Sequence, residues 1–214
     1  DFLDRSSHLR ALVSQGHSIQ LHFHPQWLYS EYKNGEWIMD LCHYKLDDMT
    51  GEEVPKVIER GISLLNSLTG NRVTTFRAGG YTLNDFQLVK NVFKQNGITN
   101  DSSVLRGMKF QSSYQQYDYS NVPRLSHYSF EENICELAEN GFFTEYPITT
   151  MPIGVISSLI DIFRYKYSHY KGNEKWGDGK SVAPQEKTSK SIIKSFMSLV
   201  ANPKFRVASI DGIK

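Results

Sequence analysis

The feature that most constrains the fold of this chain is an alternation of helical and strand-like hydrophobic patterns over its first hundred residues. Residues 4–15 carry apolar side chains at helical spacing and stop at Gly16, and residues 17–24 then alternate apolar and polar side chains as a strand does. The same order follows twice more, with strands predicted over 73–77 and 98–104. Because strands separated by helices pair in parallel, this order predicts an α/β fold.

Capping residues mark the ends of the helices between these strands. Thr50 and Glu53 have the spacing of a capping box, and the apolar residues that follow at helical spacing stop before Gly70. Asn84 is expected to open a further helix, which closes at Gly97. Each helix is therefore expected to connect two neighbouring strands.

The pattern is less regular in the second half of the chain. Residues 110–129 are expected to be extended, and residues 142–149 are expected to form a strand. Residues 153–167 fit either a helix or a long loop. A helix over 189–201 and a strand over 205–210 complete the predicted order.

The length and the charge of the chain set its class. Its 214 residues predict one domain over 1–214, with a polar, basic insertion around 164–194. Lys and Arg total 24 against 23 Asp and Glu, and this balance argues against a nucleic-acid partner. No apolar run reaches the ~20 residues of a membrane span. Cys42 and Cys135 are too few for a disulfide framework, which favours a reducing compartment and predicts a cytoplasmic protein.

Two histidines stand at the end of the first predicted strand. His22 and His24 are at positions i and i+2, so both imidazoles point to the same face, and Pro25 ends the strand. The carboxyl end of a parallel strand is where open α/β sheets and (β/α) barrels place their sites. Imidazole pairs suit zinc and other divalent metals. The alternative is a pair of surface histidines on the polar face of a strand.

The sequence Arg77-Ala78-Gly79-Gly80-Tyr81 follows the next strand. Its arginine can reach into a cleft and orient a carboxylate, and its glycines let backbone amides approach a substrate oxygen. The alternative is an ordinary strand-to-helix turn with a solvated arginine. Asp101 stands at the end of the third strand, where the alternative to a catalytic role is a turn or a helix cap.

With these motifs in order, the chain resembles the polysaccharide deacetylases, a family of metal-dependent carbohydrate esterases. Within that family it is similar to the branch found among bacterial surface-polysaccharide biosynthesis proteins. The resemblance covers roughly residues 10–150. The stretches that carry it are GHSIQLHFHPQW at 16–27, FRAGGY at 76–81 and DSSV at 101–104, with weaker similarity at 117–120 and 144–148.

The resemblance implies a distorted (β/α) barrel, a divalent metal, with zinc the first candidate, and removal of an acetyl group from the nitrogen of an amino sugar. In the family, one aspartate and two histidines hold the metal and a second aspartate is the base. Those aspartates lie on a strand upstream of the helix that opens this chain. Because the chain begins at Asp1 and not at Met, we expect a processed form or a fragment without its first strands. The usual second histidine would fall on Gln26, and His24 is its substitute; the late histidine that acts as general acid lacks a clear counterpart.

The sequence therefore predicts a metal-dependent hydrolase acting on a carbohydrate that carries N-acetyl groups. The predicted metal ligands are His22 and His24, the catalytic residues Arg77 and Asp101, and the substrate-binding residues Trp27, Gly79, Gly80 and Tyr81. The alternative is a glycan-binding or scaffold domain without catalysis, in which Trp27, Tyr29 and Trp37 are sugar platforms. Neither hypothesis fixes the sugar or the oligomeric state.

Overall fold

The computed structural model describes residues 6–150 and Ile160. The chain divides into two units, residues 1–148 and 149–214, and nearly all described residues belong to the first. The basic insertion around 164–194 and the elements predicted over 189–201 and 205–210 lie outside the described residues, as does all of 153–167 except Ile160.

The first unit alternates helices with short strands. In chain order its elements are α1 (Ser6–Ser14), β1 (Leu21–Phe23), α2 (Gln26–Tyr29), β2 (Glu31–Lys33), β3 (Glu36–Ile38), α3 (Glu53–Thr69), β4 (Thr75–Ala78), α4 (Gln87–Asn96), β5 (Asn100–Asp101), β6 (Lys109–Gln111), β7 (Gln116–Asp118), β8 (Tyr128–Phe130) and β9 (Phe143–Glu145). Within the described part of the chain, no helix is both long and apolar enough to span a bilayer.

Five of these strands form one sheet in the order β1-β4-β5-β9-β8. The pairs β1–β4, β4–β5 and β5–β9 are parallel, and β8 joins β9 antiparallel. The prediction of an α/β fold with a parallel sheet is confirmed. In residues 6–150 the sheet is open, with β1 and β8 at its edges, so this part of the chain does not form the closed barrel that the resemblance implies.

Helix α3 forms as its capping residues predict. The backbone N–H and the hydroxyl of Thr50 donate to Glu53 Oε2 at 3.0 and 2.8 Å, and the Glu53 N–H donates back to Thr50 Oγ1 at 3.3 Å. The helix ends at Gly70, whose φ of 72° lies in the left-handed region that glycine adopts without strain. Its buried side chains recur at helical spacing and face the sheet: Val54, Ile58, Ile62 and Leu68.

Helix α4 begins three residues later than its predicted cap. Asn84 does not cap it, because the Asn84 side-chain amide donates to Asp47 Oδ2 and to the Gln116 carbonyl, both at 3.0 Å. The N-cap residue is Phe86, and Asp85 just before it accepts the N–H of Gln87 through its Oδ1 at 3.0 Å. A long-range contact therefore displaced the local capping preference.

Side chains shorten the strands relative to their predicted bounds. Gln20 Oε1 accepts the N–H groups of Thr74 and Thr75, at 2.9 and 2.8 Å, where a longer β1 would offer backbone carbonyls. At the other end, the Ala78 N–H donates to Ser103 Oγ at 2.9 Å. These bonds satisfy buried backbone groups as a ladder would, but they are not strand pairing.

The aromatic stretch after Pro25 forms a short helix followed by a hairpin. Strands β2 and β3 pair antiparallel around Asn34 and Gly35, whose φ values are 54° and 85°. Two successive residues at positive φ are typical of a type I′ turn, and Asn-Gly is its preferred sequence. The dipeptide was therefore a readable signal for this hairpin.

Candidate functional site

The two faces of the sheet differ in what covers them. Leu21 and Phe76 are partners across β1 and β4, and both face the helices: Leu21 lies against Gly61 of α3 and Phe76 packs on Phe93 of α4 at 5.0 Å between ring centroids. The next partners, His22 and Arg77, point to the opposite face because side chains alternate along a strand. Both are exposed, so the predicted ligand and the predicted orienting residue share the uncovered face.

The structure brings the rings of His22 and His24 together. Their Nε2 atoms are 3.0 Å apart and their ring planes are nearly perpendicular, at 83°. His22 Nδ1 lies 2.9 Å from the Arg77 carbonyl oxygen, and the Gln26 side-chain amide Nε2 lies 3.2 Å from His24 Nδ1. A chain of polar contacts therefore runs from Gln26 through both imidazoles to the backbone of β4.

The positions of the protons in this chain of contacts follow from the Arg77 carbonyl at one end. A carbonyl oxygen can only accept, so His22 Nδ1 carries a proton and donates it to Arg77. In the neutral ring, His22 Nε2 is then an acceptor, and His24 Nε2–H is its donor. His24 Nδ1 then carries no proton and accepts a hydrogen bond from the Gln26 side-chain amide. Burial lowers the pKa of His24, and the neighbouring His22 lowers that pKa further, which favours the neutral imidazole that binds metals.

Gly79 is where the backbone after β4 meets the His24 ring. A Cβ built there would lie 2.6 Å from His24 Cγ and Nδ1 and 2.6 Å from the Phe23 carbonyl oxygen. Because Gly79 has no side chain, its backbone can lie against His24. The sequence analysis instead predicted that this glycine lets the backbone approach a substrate. Gly80 adopts a positive φ of 60°, and its carbonyl accepts the Gln115 side-chain amide.

Arg77 extends along the strand ends and not toward a carboxylate. Its Nε donates to the Ser102 carbonyl at 3.0 Å and its Nη2 donates to Ser102 Oγ at 3.1 Å. Ser102 Oγ in turn donates to the Tyr146 carbonyl at 2.9 Å. Among the described ion pairs, none involves Arg77. The guanidinium therefore stays at the exposed face, tied to β5 on one side.

Asp101 lies on the other face of the sheet. It is in register with Phe76 and Glu145, so its side chain points to the helix-covered face, away from His22. The carboxylate accepts the N–H of Ser103 at 2.7 Å and its hydroxyl at 3.1 Å, which is a turn contact. Within residues 6–150, no group of three or more His, Cys, Asp or Glu side chains is arranged to hold a metal, so Asp101 does not join the histidines.

Glu145 was not singled out by the sequence, and it is fully buried beside Asp101. Its Oε1 accepts the Val104 N–H at 3.1 Å, and a side-chain hydrogen bond joins it to Asp101, which requires a proton on one of the two carboxyls. Burial raises the pKa of Asp101, and burial together with the charge of Asp101 raises the pKa of Glu145. Two carboxyls this close do not both ionise at neutral pH. A glutamate inside the strand predicted over 142–149 was the signal for such a pair.

Exposed aromatic rings lie beside the histidines. Trp27 and Trp37 are 46% and 54% exposed, and their rings meet edge to face at 5.2 Å. Tyr32 is 5.4 Å from Trp37. The Trp27 N–H donates to the His24 carbonyl at 3.2 Å, which fixes this aromatic platform (Trp27, Tyr32 and Trp37) next to the histidine pair.

The other aromatic residues predicted at the site have different neighbours. Tyr29 is not part of the platform, because it stacks on His43 at 3.9 Å and donates its hydroxyl to Glu53. Tyr81 is partly exposed, lies edge to face with Tyr117, and has a positive φ of 58°. Its carbonyl accepts the Tyr119 hydroxyl at 2.8 Å.

Fold and site together define an α/β protein with a mostly parallel open sheet, whose uncovered face carries a histidine pair at the end of an edge strand. No protein-family model and no curated protein matches this chain. Among solved structures, it is similar to a crystal structure from Mycobacterium smegmatis that is provisionally assigned as a polysaccharide deacetylase, with 18% identity and a TM-score of 0.40. The match covers 77% of this chain and 49% of that one. A likeness at this level assigns neither activity nor site residues.

Proposed function

We propose that this chain carries the histidine half of a metal-dependent hydrolase that removes an acyl group, acetyl first, from the nitrogen of an amino sugar. The setting would be bacterial surface-polysaccharide biosynthesis in the cytoplasm, and strands outside the described residues would complete a distorted barrel. The observation that carries the proposal is the convergence of His22 Nε2 and His24 Nε2 on the uncovered face, at 3.0 Å. The motif resemblance supplies the reaction class.

The histidine pair fits a divalent metal, with zinc the first candidate. Two nitrogens bound to one zinc ion at about 2.0–2.1 Å lie at most about 4.2 Å apart, and the Nε2 atoms meet this limit. The Arg77 carbonyl holds His22 Nδ1–H, which leaves Nε2 as the ligand atom. Catalytic zinc sites take three protein ligands, so we place the third outside the described residues. When bound, such a metal lowers the pKa of its water and polarises a carbonyl.

The remaining residues of the exposed face would bind the sugar and orient the catalytic base. The Arg77 guanidinium, held by two hydrogen bonds to Ser102, would orient a carboxylate base supplied from outside the described residues. The aromatic platform offers exposed ring faces to a sugar. Substrate binding by Gly79, Gly80 and Tyr81 stays a prediction. A catalytic role for Asp101 stays a prediction, and its covered position allows it to support Ser103 but not to take a proton beside the histidines.

Zinc binding tests the proposal directly. We expect the purified protein to bind one zinc ion per chain in calorimetric titration, and His22→Ala and His24→Ala each to abolish that binding. His127→Ala is the matched control, because His127 is exposed and stacks on Tyr146 away from the pair. Zinc binding that survives both substitutions would show that the metal lies elsewhere.

The exposure of Trp27 and Trp37 favours glycan binding without catalysis as a second candidate. The two functions differ in their dependence on metal. If oligosaccharide binding is lost in Trp37→Ala but unaffected by chelator and by His22→Ala, and no acetate is released, the binding function stands alone.

A further inference from the structure

Gln26 is a buried polar side chain whose hydrogen bonding is incomplete. It is 2% exposed, and its Oε1 has no hydrogen-bond partner in the described part of the chain. Its Nε2 donates to His24 Nδ1 at 3.2 Å, and its carbonyl accepts the Ser30 hydroxyl at 2.7 Å, which holds the backbone of α2. Buried amide oxygens are rarely left without a partner, so this arrangement calls for a reason.

The chain of hydrogen bonds through His22 and His24 and a metal held by both Nε2 atoms need opposite tautomers of His24. In the chain of hydrogen bonds, His24 carries its proton on Nε2 and donates it to His22. A metal held by both Nε2 atoms requires that proton to leave Nε2, so a neutral His24 must carry it on Nδ1. That Nδ1–H then faces the Gln26 amide group and needs an acceptor there.

We propose that Gln26 selects the tautomer of His24 by rotating its amide. With Nε2 toward the ring, Gln26 donates and favours the tautomer that carries its proton on Nε2; with Oε1 toward the ring, it accepts the Nδ1–H and favours the ligand tautomer. The two ends of the amide are nearly equal in size, so the rotation needs no repacking. Either orientation leaves one amide group without a partner, and hence neither is locked. Gln26 is thus a positioning residue, and this inference rests on the proposed metal site.

The tautomer is measured by nitrogen-15 NMR of the His24 ring, in the full protein with and without zinc. We expect the proton on Nε2 without zinc and on Nδ1 with zinc. A zinc-loaded wild-type protein in which His24 keeps a proton on Nε2 would overturn the proposal.

Substitution at the same position gives an independent readout in zinc affinity. Gln26→Leu keeps the volume but removes the acceptor, and zinc affinity should fall about 10–100-fold, as is usual when the partner of a ligating histidine is lost. Gln26→Glu keeps an acceptor and should bind zinc at least as well as wild type. Gln26→Met serves as a second variant without an acceptor if Gln26→Leu does not fold.

The controls separate this inference from the proposed function. Gln111 is exposed on β6, so Gln111→Leu should leave zinc affinity unchanged. If wild type binds zinc through His22, but Gln26→Leu and Gln26→Met bind within twofold of it, the role of Gln26 is refuted and the metal site stands. If the wild type binds no zinc, both the proposed metal site and the proposed role of Gln26 are refuted.

Discussion

At the scale of single residues, Gly79 connects the end of β4 to the ring of His24. Its Cα lies so close to that ring and to the Phe23 carbonyl that any Cβ would meet both at 2.6 Å. The two nitrogens of the same ring contact Gln26 and His22. The position of His24 therefore requires a residue without a Cβ at position 79.

We expect Gly79→Ala to displace His24 and to destabilise the protein by about 1–3 kcal/mol, the usual cost of overpacking. Because one of the two contacts is a backbone oxygen, rotating the ring cannot relieve the clash. Urea unfolding measures the loss of stability, and zinc titration should show weaker binding. Gly51→Ala is the control, since a Cβ at Gly51 meets nothing within 4 Å. Equal stability of the two variants would mean that the strand end shifts freely.

At the scale of elements, the register of β5 and β9 decides the state of two carboxyl groups. It sets Asp101 beside Glu145 on the covered face, where Val104 N–H and Ser103 hydroxyl meet them. Had either strand slipped by one residue, one carboxyl would face the histidines. The pair is therefore a property of strand pairing and not of either segment alone.

The raised pKa values predict a loss of stability with rising pH. The folded state keeps protons on Asp101 and Glu145 that the unfolded chain releases above the ordinary values of 3.8 and 4.5, so the free energy of unfolding falls as pH rises from there toward the raised values. The slope is about 1.4 kcal/mol per pH unit for each proton retained.

Urea unfolding between pH 5 and pH 9 measures that slope. Glu145→Gln removes one of the protons and keeps the oxygen that accepts from Val104, so this variant should show a flatter profile and gain stability relative to wild type as pH rises. Glu139→Gln, at an exposed position, is the control and should follow wild type. Parallel profiles for wild type and Glu145→Gln would rule out a protonated pair.

At the scale of the whole molecule, the histidine pair lies on an edge strand. Within residues 6–150, β1 pairs with β4 on one side and with no strand on the other, and two histidines supply fewer ligands than a catalytic zinc site uses. Under the proposed function, the exposed face therefore carries only part of a metal site in the described part of the chain.

We therefore expect the 214-residue chain, expressed by itself, to release little acetate from an N-acetylated amino-sugar oligomer in the presence of zinc. Under the proposed function, a version to which the strand with the family's two aspartates is added should release acetate at least 100-fold faster, since it would supply the metal ligand and the base that the resemblance implies. His22→Ala in the extended version is the control and should abolish the difference. Equal, zinc-dependent rates for both lengths would place the missing ligands within these 214 residues.

The sequence by itself determined the features that depend on near neighbours. Periodicity predicted α1, α3 and α4 and the strands that alternate with them, and it placed His22 and His24 on the same face at the end of the first strand. The capping box at Thr50 and the glycine at position 70 fixed the ends of α3. Such features follow because backbone geometry and side-chain alternation act within a few residues.

Only the tertiary structure decided which face the helices cover. That choice placed Asp101 in a buried carboxyl pair with Glu145, 44 positions away by the register Asp101↔Glu145, and the catalytic role of Asp101 stays a prediction. It also placed the backbone of Gly79 against the His24 ring. Gln26 became buried, and its Oε1 has no hydrogen-bond partner among the described residues. These outcomes depend on contacts between residues far apart in sequence, and the free energy of such contacts is set by packing and burial, which no local pattern records.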